Sequence, residues 1–396
     1  MVETEREKQI IKGTAGVNEV ERIHACWLCS VPGIGGRTIQ KLLTLCPGMQ
    51  EIYRAGERLW CQVLTGRQME QMQSYARAIT PEVLWESMLA KKIDFIMLSD
   101  ENYPQRLREI PDPPYGLFVK GRLPEDNCLS VAVIGARDCS EYGSFVANGI
   151  GERLGGYGVQ VISGMARGID GISQAAALKA GGTSFSVLGC GVDVCYPASN
   201  RELYESLCER GGILSTCPPG TEARPQNFPP RNRIVSGLAD ALIVVEARDK
   251  SGTLITVDMA LEQGRDVYVV PGRVTDRLSD GCNRLIQQGA GVFLTPEDFL
   301  RELEERRLPF AGGRPQADRA SYIEGRLQTE KSSSHLTSAQ QELCKALDWQ
   351  PMSLEQIQAR ISREYTVPEL MVQLMGLCLE RVAIQVSPGQ FALRAE

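Results

Sequence analysis

The chain has 396 residues, with 43 lysines and arginines against 49 aspartates and glutamates, a net charge of −6, and only two histidines, His24 and His335. That length suits two or three domains. The acidic balance excludes a uniformly basic nucleic-acid coat or a polybasic membrane binder, while leaving room for a local anion site. One histidine sits in an N-terminal helical pattern and the other in a Ser-rich stretch. A His-dependent triad or multi-His centre has almost nowhere to form, so no metal and no cofactor are expected.

The 13 cysteines are scattered singly. The opening MVETEREKQII lacks the apolar region of a secretion signal, so the thiols read as reduced and the chain as cytoplasmic. No apolar run approaches the roughly 18–20 residues that span a bilayer.

In chain order, residues 1–85 give helical patterns only. Cys26 and Cys29 form the one CxxC and read as helical core positions, since no second Cys/His pair stands at metal-ligand spacing. Val31-Pro32-Gly33-Ile34-Gly35 separates the patterns Glu19–Ser30 and Thr38–Leu45, the spacing of a helix-hairpin-helix turn. Its amides suit either a phosphate or packing. Residues 86–305 alternate short β-branched runs with helical stretches. Strands are expected at Ser130–Ile134, Val159–Ser163, Ser184–Leu188, Ala241–Glu246 and Asp266–Val270. Runs such as VAVIG and ALIVVE fit strands buried on both faces. Their alternation with helices predicts an α/β domain with a mainly parallel sheet, whose ligands sit at the carboxyl ends of the strands.

The unusual residues cluster at those ends. Gly135-Ala136-Arg137 follows the first strand, with Ser140 opening a helix, but GxGxxG is absent and a dinucleotide site is not indicated. The second strand ends in Ser163-Gly164-Met165-Ala166-Arg167-Gly168-Ile169-Asp170. There two glycines let the backbone approach a ligand, Arg167 offers a permanent charge to a phosphate, and Asp170 reads as the cap of the next helix. The third ends in Gly189-Cys190-Gly191-Val192-Asp193, then Tyr196-Pro197. Next come Arg224, Asn227, Phe228, Arg231, Asn232 and Arg233, expected to precede a helix. An aromatic among arginines and an amide suits single-stranded nucleic acid, by stacking and by phosphate contact. Ser251-Gly252-Thr253 opens a further helix after Glu246-Ala247. Residues 306–338 read as a flexible linker, and residues 339–396 as helices near Ala339–Leu347, Ser353–Ile361 and Pro368–Glu380, then a hairpin around Ser387-Pro388-Gly389.

From Tyr103 to Ala290 the chain resembles the DNA-processing protein A family (DprA, also called Smf), on VAVIGARDCSEYG, SGMARGID, the GVDVCYP run, FPPRNRIVSG, VVEA with SGTLIT, and GCNRLIQQGA. The resemblance implies an extended Rossmann-like domain that binds single-stranded DNA and is not an enzyme. It also implies a role in natural transformation: protecting incoming strands, displacing single-strand-binding protein and loading the RecA recombinase. It makes Arg167 a principal DNA-contacting arginine, and Phe228 with the FPPRNR arginines and asparagine a base-and-phosphate pocket. Some members carry a lysine shortly before that Phe; here Pro225, Gln226 and Asn227 stand there, with Arg224 as the substitute. A homodimer through the central domain is implied as well. The flanks resemble a sterile-alpha-motif-like or hairpin-type helical domain and a winged-helix-like domain. From Leu336 to Glu396 the latter carries five basic residues against seven carboxylates, which disfavours groove binding and points to a protein contact or a dimer-regulating role. The alternative is a nucleotide-binding or N-glycosidase enzyme of the lysine-decarboxylase-like group. Against it, Lys250-Ser251-Gly252-Thr253-Leu254-Ile255-Thr256 lacks that group's PGGxGTxxE glutamate, and Glu246 has no carboxylate or His partner for acid–base work.

Overall fold

The computed structural model describes residues 19–307 and 337–393, apart from positions 349, 362, 364, 381 and 388. Residues 308–336 of the expected linker therefore lie outside the described residues.

The N-terminal segment is a bundle of short helices: α1 (Glu19–Ser30), α2 (Gly36–Leu45), α3 (Met49–Ala55), α4 (Glu57–Trp60), α5 (Gly66–Ala78) and α6 (Pro81–Ala90). The last runs past residue 85. Capping sets several starts. Thr65 and Gln68 form a reciprocal capping box on α5, and Thr80 caps α6 with Pro81 at its first turn. The hairpin turn is used for packing: Ile34 is buried, the Gly33 carbonyl accepts from Gln68 Nε2 at 2.9 Å, and Gly36 lies against Pro113 and Tyr115. Cys26 and Cys29 lie on α1 in the core, as expected. Burial pushes both thiols up, Cys29 to about 12.

The central domain is built on nine strands: β1 (Asp94–Met97), β2 (Gly116–Gly121), β3 (Ser130–Ile134), β4 (Gln160–Ser163), β5 (Ser184–Val187), β6 (Gly212–Ser215), β7 (Ala241–Val244), β8 (Asp266–Val269) and β9 (Gly291–Val292). Their order is β1-β2-β6-β5-β4-β3-β7-β8-β9. From β6 to β9 all neighbours are parallel; β2 runs antiparallel to β6 and β1 to β2. The sheet is thus mixed, and β1, β2, β6 and β9 add to the five strands expected. Its crossover helices are α8 (Glu141–Gly156), α9 (Ile169–Lys179), α10 (Arg201–Arg210), α11 (Phe228–Gly237), α12 (Gly252–Glu262) and α13 (Asp280–Gln287), with α7 (Gln105–Arg108) before β2 and α14 (Pro296–Arg307) at the end. The chain leaves β3 toward β4 and returns past it to β7 on the other side, so the topological switch point falls between β3 and β7.

Two ties hold the domain. Arg106, 7% exposed, donates from Nε to Asp240 Oδ1 at 2.8 Å and from Nη2 to the Cys128 carbonyl at 2.6 Å, while Asp240 Oδ2 accepts from the Ser130 amide. Helices α8 and α9 meet backbone to backbone. A Cβ on Gly151 would overlap the Ser173 carbonyl, and one on Gly155 the Ala177 carbonyl.

The C-terminal segment comprises α15 (Ser338–Ala346), α16 (Leu354–Gln358) and α17 (Val367–Leu379) with a small antiparallel sheet, β10 (Met352–Ser353), β11 (Ala383–Ser387) and β12 (Gln390–Leu393), in the order β10-β12-β11. Leu343, Ile357, Leu374, Leu377 and Phe391 form its own core.

Gly151 lets α8 lie directly against the Ser173 carbonyl of α9, so Gly151→Val should separate the helices. It should lower unfolding stability by about 1–3 kcal/mol, the scale of overpacking a tight core. Urea denaturation checks this, and an unchanged midpoint would contradict it.

Candidate nucleic-acid interface

Loops at the carboxyl ends of β3, β4, β5 and β6 converge on a cavity of about 270 Å³. From the expected residues it gathers Arg137 after β3, Gly164 and Arg167 after β4, and Phe228 and Arg231 on α11. Gly135, Ser163 and Gly168 frame these loops. Ser163 Oγ donates to the Val133 carbonyl at 2.6 Å, locking β4 to β3, and Gly168 at φ 79° turns the chain into α9.

Two expectations are corrected. Asp170 is not the cap, since Gly168 holds that position. It lies inside the first turn of α9, 8% exposed, and its carboxylate accepts from the Gly164 amide at 3.2 Å. Further, FPPRNR does not precede a helix but forms the first turns of α11, with prolines where the missing amide costs nothing. Helical phase then separates the arginines. Arg231 turns inward, only 7% exposed. Arg233 is not among the cavity's lining, and its charge acts on Asp112 instead.

Arg231 is the centre of the site. Its guanidinium occupies the space that Gly164 leaves by lacking a Cβ. Its Nε is buried without a hydrogen-bond partner, and its carbon lies 5.8 Å from the centroid of the Phe228 ring. Burial lowers its pKa while Asp170 raises it; burial raises the Asp170 carboxyl while Arg231 lowers it. The two are mutual counter-charges in a desolvated place. Arg137, exposed, lies 5.3 Å from the same Phe228 ring. Arg167 is exposed at the mouth and pairs with Asp138. The floor loop is held from beneath: the Met165 amide donates to Gln174 Oε1 at 3.0 Å, and Asn200 Nδ2 donates to the Met165 carbonyl at 3.0 Å.

The other expected residues lie around or beyond this cavity. Arg224 is exposed beside Glu222, and Asn227 ends the short turn leading into α11, its carbonyl near Gly189. Asn232 is partly buried on α11. Ser251 and Gly252 open α12, and Thr253 Oγ1 donates to the Gly135 carbonyl at 3.4 Å. Tyr196 was not assigned from sequence, yet it lines the cavity, its ring 5.9 Å from Phe228 at 30°. The signal was its place in the run after β5. Glu246 is 1% exposed and accepts from the Ser140 amide at 2.9 Å and the Ser140 hydroxyl at 2.5 Å. Its carboxylate is committed to the turn after β3, not free to move a proton at a substrate.

Residues 94–304 match the family described as DNA recombination-mediator protein A. The chain is 41% identical over 214 residues to the DNA processing protein DprA of Streptococcus pneumoniae, spanning 54% of this chain and 76% of that protein. It is 40% identical over 222 residues to DprA of Bacillus subtilis, spanning 55% and 74%. Its structure is similar to the X-ray structure of DprA from Streptococcus pneumoniae, with TM-score 0.60 and 33% identity over 72% of this chain and 98% of that one. A DprA structure from Helicobacter pylori, determined for its single-stranded DNA binding mode, gives TM-score 0.50 and 28% identity over 54% and 97%. With the family match covering more than half of the sequence and the pneumococcal protein aligned over three quarters of its own length, the chain belongs to the DNA recombination-mediator protein A family.

Proposed function

We propose that the chain is a non-enzymatic mediator of DNA recombination that holds single-stranded DNA in the Arg137–Phe228–Arg231 cavity. Arg231 supports this most directly. A buried permanent charge with an unpartnered donor, set beside an aromatic ring, costs stability unless an anion completes it. A strand with unstacked bases supplies both partners at once: a base for the Phe228 face and a phosphate oxygen for the guanidinium. Arg137 and Arg167 flank the entrance and add further phosphate contacts. A duplex keeps its bases stacked and offers only phosphates, so single strands are preferred. The single-stranded DNA binding described for the Helicobacter pylori relative agrees with this assignment.

Family membership supports the remaining roles of this proposal. In the cytoplasm the protein protects single strands entering by natural transformation, helps displace single-strand-binding protein and loads RecA onto them. Homodimerisation through the central domain is supported by exposed apolar side chains at the β8–β9 end of the sheet: Ile255 and Leu261 on α12, Val274 after β8, and Val292 and Leu294 at β9. Among the described residues no helix is long and apolar enough to cross a membrane. The C-terminal segment acts as a winged-helix-like protein-contact unit, consistent with its excess of carboxylates.

Phe228→Ala should weaken binding of an oligothymidylate by about 1–3 kcal/mol, the worth of one stacked base, with little change in salt dependence. Arg167→Glu should weaken it and lower the slope of log K against log salt by about one, the value of one lost phosphate contact. Gel shift or fluorescence anisotropy over a salt series measures both. If both variants bind as tightly as wild type, the site lies elsewhere. In a strand-loading assay with single-strand-binding protein present, wild type should accelerate RecA filament formation and Phe228→Ala should not.

A further inference from the structure

The cavity's two rings come from different loops, Tyr196 from the one after β5 and Phe228 from the one after β6. Both loops are tied upstream of their rings at a single carboxylate. Asp193 Oδ1 accepts from the Gly220 amide at 2.7 Å, and its Oδ2 accepts from the Lys91 ammonium at 2.7 Å. Asp193 and Tyr196 share the β5 loop, and Gly220 leads into the stretch that opens α11 with Phe228. Lys91 belongs to neither; it ends α6, the last helix of the N-terminal bundle.

The surroundings make this junction a fixed one. Gly220 adopts φ 78°, a conformation glycine takes without strain, as its amide meets Asp193. The Gly191 amide donates to the Thr221 carbonyl at 2.9 Å, joining the two loops a second time. The Tyr204 hydroxyl donates to the Val192 carbonyl at 2.7 Å. One apolar cluster runs from Trp27 in the bundle through Phe95 and Phe118 to Leu188, Cys190 and Val192 beside the junction. Burial alone would raise the Asp193 carboxyl, but the hydrogen bonds from Lys91 and Gly220 and the Lys91 charge hold it below the usual carboxylate range.

We propose that Lys91 is a positioning residue for the single-stranded DNA site, through which the N-terminal bundle fixes the spacing of Tyr196 and Phe228. This rests on the DNA assignment given above. Lys91 acts through Asp193 and touches no nucleic acid; it spares the strand the cost of ordering two loops on binding.

The test is anisotropy of a labelled oligothymidylate with the full chain across a salt series. Lys91→Met should raise Kd by about two- to fivefold, the scale of one partly exposed ion pair, with an unchanged salt slope because no phosphate contact is lost. Lys91→Arg should restore affinity, and Lys91→Met should add nothing in a Phe228→Ala background, since both act on the same ring. Wild-type affinity in Lys91→Met would overturn the proposal. So would a loss that persists undiminished with Phe228→Ala and carries a lower salt slope, because Lys91 would then be a direct phosphate contact. Weaker binding in Phe228→Ala but not in Lys91→Met sinks this inference alone, whereas no effect of Phe228→Ala sinks the DNA assignment and this inference with it.

Discussion

A guanidinium cannot be made neutral at physiological pH, so burying one obliges the fold to supply room, a counter-charge and an outlet. Around Arg231 each of these comes from a different part of the chain. Room comes from Gly164 at the end of β4, counter-charge from Asp170 in the first turn of α9, and the outlet is the cavity under Tyr196 and Phe228. Gly164 lies in the loop before α9 and Asp170 in its first turn, and Gly168 at φ 79° turns the chain into that helix. The outlet depends on the loops after β5 and β6. A cavity with a small lining thus draws on loops from four strands of the central sheet.

How much of this was legible in the sequence follows burial. The strands β3, β4, β5, β7 and β8 lie in the parallel part of the sheet and are wholly or largely buried; β3 and β7 read as continuous apolar runs, and the others as short β-branched or aromatic stretches broken by Ser, Gln or Asp. β6 is just GILS behind a charged helix, and β9 has two residues. β9 is too short to show a period. β2 extends the sheet with reversed polarity and β1 reverses again beside it, a long-range choice of partner that local pattern does not encode. At the site, the glycines and arginines of the loops marked the sheet edge at which the cavity lies. Which arginine turns inward was not legible, because it depends on helical phase, and FPPRNR with its two prolines resembles a loop more than a first turn. Asp170 likewise sits two residues past the cap, inside the first turn of α9. The resemblance carried family and fold further than residue-by-residue inference could, while the aromatic partner Tyr196 and the tie at Asp193 needed coordinates.

The acidic balance of the whole chain fits the geometry. Arg137, Arg167 and Arg231 converge within one cavity, while Arg22, Lys91 and Arg106 are engaged by Asp100, Asp193 and Asp240.

The bond between Ser140 and Glu246 explains why the cavity sits where it does. In open parallel sheets the crevice at the switch point, here between β3 and β7, is where a nucleotide's pyrophosphate usually rests against a helix start. In this chain that berth is already filled from within. The Glu246 carboxylate takes the amide and hydroxyl of Ser140, Ser140 in turn caps the Gly143 amide, and a Cβ on Gly143 would leave the carboxylate no space. A carboxylate from within the chain thus stands at that helix start, and the arginine-lined cavity lies one strand over.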